Sequence, residues 1–84
     1  MHSVYYNSLV ETVLSLKTKK EVEKFLEGIL TQKEREELPV RLEIIKLLKR
    51  GISQHAIAAK LGVGVATVTR GSKEIAKGNF SLWR

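Results

Sequence analysis

Apolar positions recur along this chain at steps of three and four residues almost from end to end, the spacing of helices that bury one stripe. In residues 4–16 the stripe is Val4, Tyr5, Leu9, Val13 and Leu16. Thr18-Lys19-Lys20-Glu21 is a capping box, in which a threonine hydroxyl and a glutamate satisfy orphan amides at a helix start, so a second helix begins there and presents Val22, Phe25, Leu26 and Ile29. Thr31-Gln32-Lys33-Glu34 repeats the device and starts a third helix, whose stripe holds Leu38, Leu42, Ile44, Ile45 and Leu48 and which Gly51 ends as a C-terminal cap. Pro39 lies inside that third pattern, lacking an amide and clashing with the preceding turn. The expectation is a kink near Leu38 or a division into two pieces. Ser53 caps a fourth helix over residues 54–61, a fifth runs over 65–76 and stops near Gly78, and Gly78-Asn79 releases a tail of residues 80–84. No strand pattern, repeat, low-complexity tract or linker interrupts this, so the fold class is all-α and the chain one domain, 1–84.

The last two helices meet at a glycine turn. Ala58 stands four residues before Gly62 and Val68 six after it, the arrangement of a helix-turn-helix: a small residue where helices approach, a glycine for the turn, an apolar anchor beneath the second helix. Ala66, Thr67, Thr69 and Arg70 face outward from that second helix, short and polar groups suited to a DNA groove.

Composition narrows the alternatives. Eighty-four residues give a marginal core. The absence of cysteine removes disulfide staples, thiol nucleophiles and thiolate metal sites. Dimerisation is the remaining common way to bury enough apolar surface. The net charge is +6, and its distribution is uneven: residues 1–50 carry ten Lys/Arg against eight Glu, residues 51–84 five against one. Such a surplus serves solubility, and near a helix-turn-helix it also suits phosphate. The Met1-His2-Ser3 start has no secretory pattern, and no apolar run approaches the roughly 18 residues of a membrane span, so a soluble, cytoplasmic protein is expected. Catalysis finds little to work with. There is no aspartate, the two histidines are His2 and His55, Gly62-Val63-Gly64 lacks both the third glycine and a preceding strand, and Gly71-Ser72-Lys73 is not a P-loop. Glutamates 34, 36 and 37 read as a solvated helix start favoured by the macrodipole. The chain is expected not to be an enzyme and to hold no metal.

Leu30-Thr31-Gln32-Lys33-Glu34-Arg35-Glu36, Arg41 and residues 51–72, above all Ala66-Thr67-Val68-Thr69-Arg70-Gly71-Ser72, resemble the Trp repressor family of bacterial transcription factors over about residues 25–76. The resemblance implies an intertwined helical homodimer in which residues 1–50 interlock two chains, 51–77 form the helix-turn-helix reading head and 78–84 a tail. Tyr5, Tyr6, Phe25 and Leu26 suit the shared core, although the stripes alone equally allow a core within one chain. The two heads would enter successive major grooves about one helical turn apart, a spacing that belongs to the family's known docking mode. Gln54, His55, Val65, Ala66, Thr67 and Thr69 match the positions that face double-stranded operator DNA. Val65 is also explained by packing, and the threonines by ordinary helix surface. The family lysine at Ala58 and the common arginine at His55 are replaced, so the operator should differ.

The resemblance further implies L-tryptophan, or a related amino acid, as corepressor and no other cofactor. Arg41 and Arg70 would sandwich the indole, Arg70 and Thr31 would meet the carboxylate, and Gly71 would leave room beside the ligand. A guanidinium suits both tasks, stacking on an aromatic face and bonding a carboxylate. Thr31 as an N-cap, Arg41 in a surface ion pair and Arg70 on a phosphate are the plainer assignments. Glu74 stands where the family has serine near the ligand's amino group; it would pair the ammonium, repel the carboxylate or simply pair with Arg70. Family members continue with another helix where this chain has Phe80, Leu82 and Trp83, which would cover apolar surface or send an aromatic ring into the ligand pocket. A regulator that needs no ligand, and a protein-interaction module that has lost DNA binding, are the alternative functions.

Overall fold

A computed structural model describes residues 3–83, so the readings of the Met1-His2 start and of the tail's last residue, Arg84, lie outside the described residues. Among the described residues five α-helices follow one another: α1 (Val4–Ser15), α2 (Lys19–Ile29), α3 (Gln32–Lys49), α4 (Gln54–Leu61) and α5 (Val65–Ala76). No strand occurs among the described residues, and no helix there is long and apolar enough to cross a membrane. The chain divides into two compact units, one ending at Arg35 and one beginning at Glu36.

In the first unit the helix starts are built as their sequences dictate. The Ser3 hydroxyl accepts the Tyr6 amide at 3.0 Å and opens α1. Thr18 accepts the Glu21 amide at 3.1 Å, but the Glu21 carboxylate accepts from Lys17, one residue ahead of the cap, at 2.8 Å. At α3 the box is reciprocal: Thr31 Oγ1 accepts the Glu34 amide at 3.2 Å and Glu34 Oε1 accepts the Thr31 amide at 2.8 Å. Arg35 Nη1 then donates to the carbonyls of Glu27 at 2.9 Å and Leu30 at 3.0 Å, fastening the end of α2 to the start of α3. No residue of α1 or α2 is buried. Tyr5 is 87 % exposed, Leu14 77 % and Val13 49 %. An apolar stripe of this length left in water is unfinished business for the hydrophobic effect.

The Thr31 amide, with its hydroxyl second, holds the Glu34 carboxyl below its ordinary value of 4.5. A group whose folded pKa is depressed stabilises fully above its unfolded value and loses that contribution as pH falls through the folded one. Helical circular dichroism should therefore show a loss beginning below about pH 4.5 that Glu34→Gln reduces. Superimposable acid profiles would move that titration to another carboxylate.

The second unit carries the core. Ile44, Leu47, Ile57, Ala58 and Val68 are buried together, with Leu48, Leu61 and Val63 packed on them. The expected α3 stripe is thus partly displaced: Leu47 joins the core, while Leu38 and Leu42 stay 40 % and 45 % exposed. The helix is also not divided at Pro39. The ring removes one donor toward the Arg35 carbonyl, and burial of Ile44, Ile45 and Leu47 further along the same helix offsets that loss. Ser53 accepts the Ala56 amide at 3.2 Å to begin α4. Gly62 ends that helix with φ +67°, a left-handed backbone that glycine adopts without a Cβ penalty, and its amide returns to Ala58 O. In the tail, Leu82 is 99 % exposed, so the apolar cover expected of it is not provided, whereas Phe80 and Trp83 are half-buried.

Candidate nucleic-acid face and ligand cleft

The starts of α4 and α5 form one surface. Gln54 is the first residue of α4 and Val65 the first of α5, and α4 packs directly on α5. Thr69 Oγ1 donates to Gln54 Oε1 at 2.6 Å, joining two side chains expected on the DNA face. The bond leaves the Gln54 amide nitrogen as a donor in a side chain whose orientation is now fixed. His55, Ala66 and Thr67 are exposed, and Val65 is 37 % exposed rather than packed away. Gly64 precedes α5 with no side-chain cap, so nothing from its own cap covers the first turn. Ala58 belongs elsewhere. At 7 % exposed it sits in the core.

Beside this surface lies a cleft of about 360 Å³. Arg41, Ile44 and Ile45 of α3 form one side; Thr67, Arg70, Gly71 and Glu74 of α5 form the other; Phe80 of the tail completes the lining. Four of the five residues expected at a ligand are therefore brought together. The fifth, Thr31, belongs to the first unit, where its hydroxyl is the cap of α3. At Gly71, which lines the cleft, a Cβ would meet Ile44 Cγ2 at 3.1 Å, Ile45 Cδ1 at 3.2 Å and Leu48 Cδ1 at 3.4 Å, so the missing side chain makes room for α3.

Glu74 does not pair with Arg70 as its first choice. Its Oε2 takes Lys77 Nζ at 3.0 Å and its Oε1 takes Asn79 Nδ2 at 2.7 Å. The Lys77 hydrogen bond, then that of Asn79 and the Lys77 charge, hold the carboxyl below its ordinary value, with Arg70 the weakest contributor. The carboxylate is consequently anionic through the neutral range, in a cleft that also carries the guanidinium groups of Arg41 and Arg70. Thr67, Lys77 and Asn79 were not assigned to this site by sequence, whereas an aromatic ring of the tail was one of two places expected for Phe80 or Trp83; the Gly78-Asn79 turn was the one local signal that the chain reverses there. Among the described residues no cluster of His, Asp, Glu or Cys is placed to hold a metal ion.

A helical pair with an open polar start thus stands beside a small cleft that carries two guanidinium groups and a carboxylate. The chain matches the family model described as Trp repressor protein over residues 5–82 and belongs to that family. It is 41 % identical over 71 residues to the Trp operon repressor homolog of Vibrio campbellii, covering 83 % of this chain and 71 % of that protein. The homolog of Vibrio parahaemolyticus is likewise 41 % identical over 71 residues, covering 83 % of this chain and 69 % of that protein. A relative named uncharacterized protein YerC in Bacillus subtilis is 32 % identical over 73 residues, covering 87 % of this chain and 70 % of its own length. No significant match to a solved structure was found.

Proposed function

We propose that the chain is a sequence-specific DNA-binding repressor, active as a homodimer and controlled by L-tryptophan or a related amino acid. The observation that carries this reading is that Thr67 belongs both to the outward start of α5 and to the cleft shared with Arg41, Arg70 and Glu74. A ligand carboxylate is met by the guanidinium groups of Arg41 and Arg70, its flat apolar body lies along Ile44 and Ile45, and its ammonium faces Glu74. Filling the cleft fixes α5 against α3, and with it the angle at which the α4–α5 head meets a major groove. The exposed stripes of α1 and α2 close on a second copy, which sets two heads on a pseudo-palindromic site.

Gel shifts with DNA selected from genomic fragments, in the presence and absence of L-tryptophan, test this directly. Retention that strengthens with tryptophan is expected; failure to retain any fragment at low salt would end the DNA-binding reading. Thr67→Ala and Thr69→Ala should each weaken specific binding by roughly 1–3 kcal/mol, the cost of a lost base contact. Because Thr69 also holds Gln54, Gln54→Ala combined with Thr69→Ala should cost less than the two single losses added. Unchanged affinity in both threonine variants would remove these groups from the interface. A second reading, constitutive DNA binding, is favoured by one observation: the Glu74 carboxylate already has Lys77 and Asn79. Footprints indifferent to tryptophan would select it.

A further inference from the structure

The tail is tied to both helices that form the cleft. After α5 the chain reverses at Gly78, whose φ of +85° is a left-handed conformation. Asn79 Nδ2 donates to Glu74 Oε1 at 2.7 Å, which anchors the returning strand of backbone to α5. Lys49, the last residue of α3, then donates from Nζ to the Phe80 carbonyl at 2.7 Å and also to the Trp83 carbonyl. The same ammonium stands 5.3 Å from the centroid of the Trp83 ring. Phe80 and Trp83 meet edge to face, centroids 6.2 Å apart and planes at 61°, so the ring of Phe80 is braced from behind. Phe80 is thereby set into the lining opposite no polar partner of its own, beside Arg41, Ile44 and Glu74.

We propose that Phe80 is a specificity-determining wall of the ligand cleft, selecting a planar aromatic side chain, and that Lys49 is the residue that positions it. The proposal rests on the amino-acid-binding reading of the same cleft. Without the ring, the cleft offers two guanidinium groups, a carboxylate and the aliphatic edges of Ile44 and Ile45, which discriminate little between one apolar side chain and another. The ring adds an apolar surface of the kind that prefers offset or edge contact with another aromatic. Glu74 and Asn79 place the tail on one side of it and the Lys49 clamp on the other, so the wall is built in before a ligand arrives and less ordering is left to binding.

Calorimetric titration of L-tryptophan into the full chain and its variants tests this, with a thermal melt of each variant alongside. Phe80→Ala should weaken binding by roughly 5–20-fold, the value of an aromatic contact and its buried area. Phe80→Leu, which keeps an apolar side chain, should fall between, and it carries the comparison if the alanine variant melts early. Phe80→Tyr should restore most of the affinity. Lys49→Met, at a residue that does not line the cleft and meets it only through the Phe80 backbone carbonyl, should weaken binding by about 2–5-fold through the unclamped ring. Wild-type binding with an unchanged or tighter Phe80→Ala would overturn the wall while leaving the cleft reading intact. Absence of heat from the wild-type chain would overturn the cleft reading and the wall with it.

Discussion

Ile57→Ala should destabilise the α3–α4–α5 unit by about 2–5 kcal/mol, the range for removing a large aliphatic side chain from a packed core. Ile57 is fully buried, in a cluster whose other buried members are Ile44, Leu47, Ala58 and Val68. So few residues share the load that a void at Ile57 has little around it able to collapse inward. A loss of that size is a large share of the total stability of any domain. Urea denaturation followed by circular dichroism at one fixed protein concentration measures it, because association would otherwise shift the midpoint. A change under about 0.5 kcal/mol would mean that the core relaxes freely around the site, as exposed positions do.

The second large effect is expected in the first unit. Val13→Glu should convert a dimer to a monomer, read by sedimentation velocity at micromolar concentration. Val13 lies in mid-α1, 49 % exposed within this chain, between Leu9 at 41 % and Leu14 at 77 %. In a self-complementary interface each substitution occurs twice. An uncompensated buried charge costs about 3–5 kcal/mol, at least a 100-fold loss of association for one such charge. A wild-type chain that sediments as a monomer, or a variant that dimerises as well as the wild type, would remove α1 from the interface.

The helices themselves were legible because their signals are local. Ser53 and Gly62 bound α4 and Gly64 precedes α5, and the observed limits Gln54–Leu61 and Val65–Ala76 are the ones their caps and turns predict. Capping boxes act over three residues, so Thr18 and Thr31 announced α2 and α3 as surely as the structure draws them. The family motif named Arg41, Arg70, Gly71 and Glu74 before any geometry, and all four line one cleft. Of the kink or division expected at Pro39, the division does not occur, because a propensity penalty of a few kcal/mol says nothing of the buried residues downstream that offset it.

What sequence determined by itself was the set of five helices, their caps, the Gly62 turn and the family; each depends on neighbours within a turn or on a contiguous motif. Tertiary structure alone decided which apolar residues are buried and what each polar group touches. Leu47 is buried and Leu42 is not. Thr69 reaches Gln54 across fifteen residues, and Lys49 reaches Phe80 across thirty-one. Ala58 is core, and Gly71 is small because α3 passes over it. These contacts depend on how helices pack in space, and helical periodicity specifies a face without specifying what that face will meet.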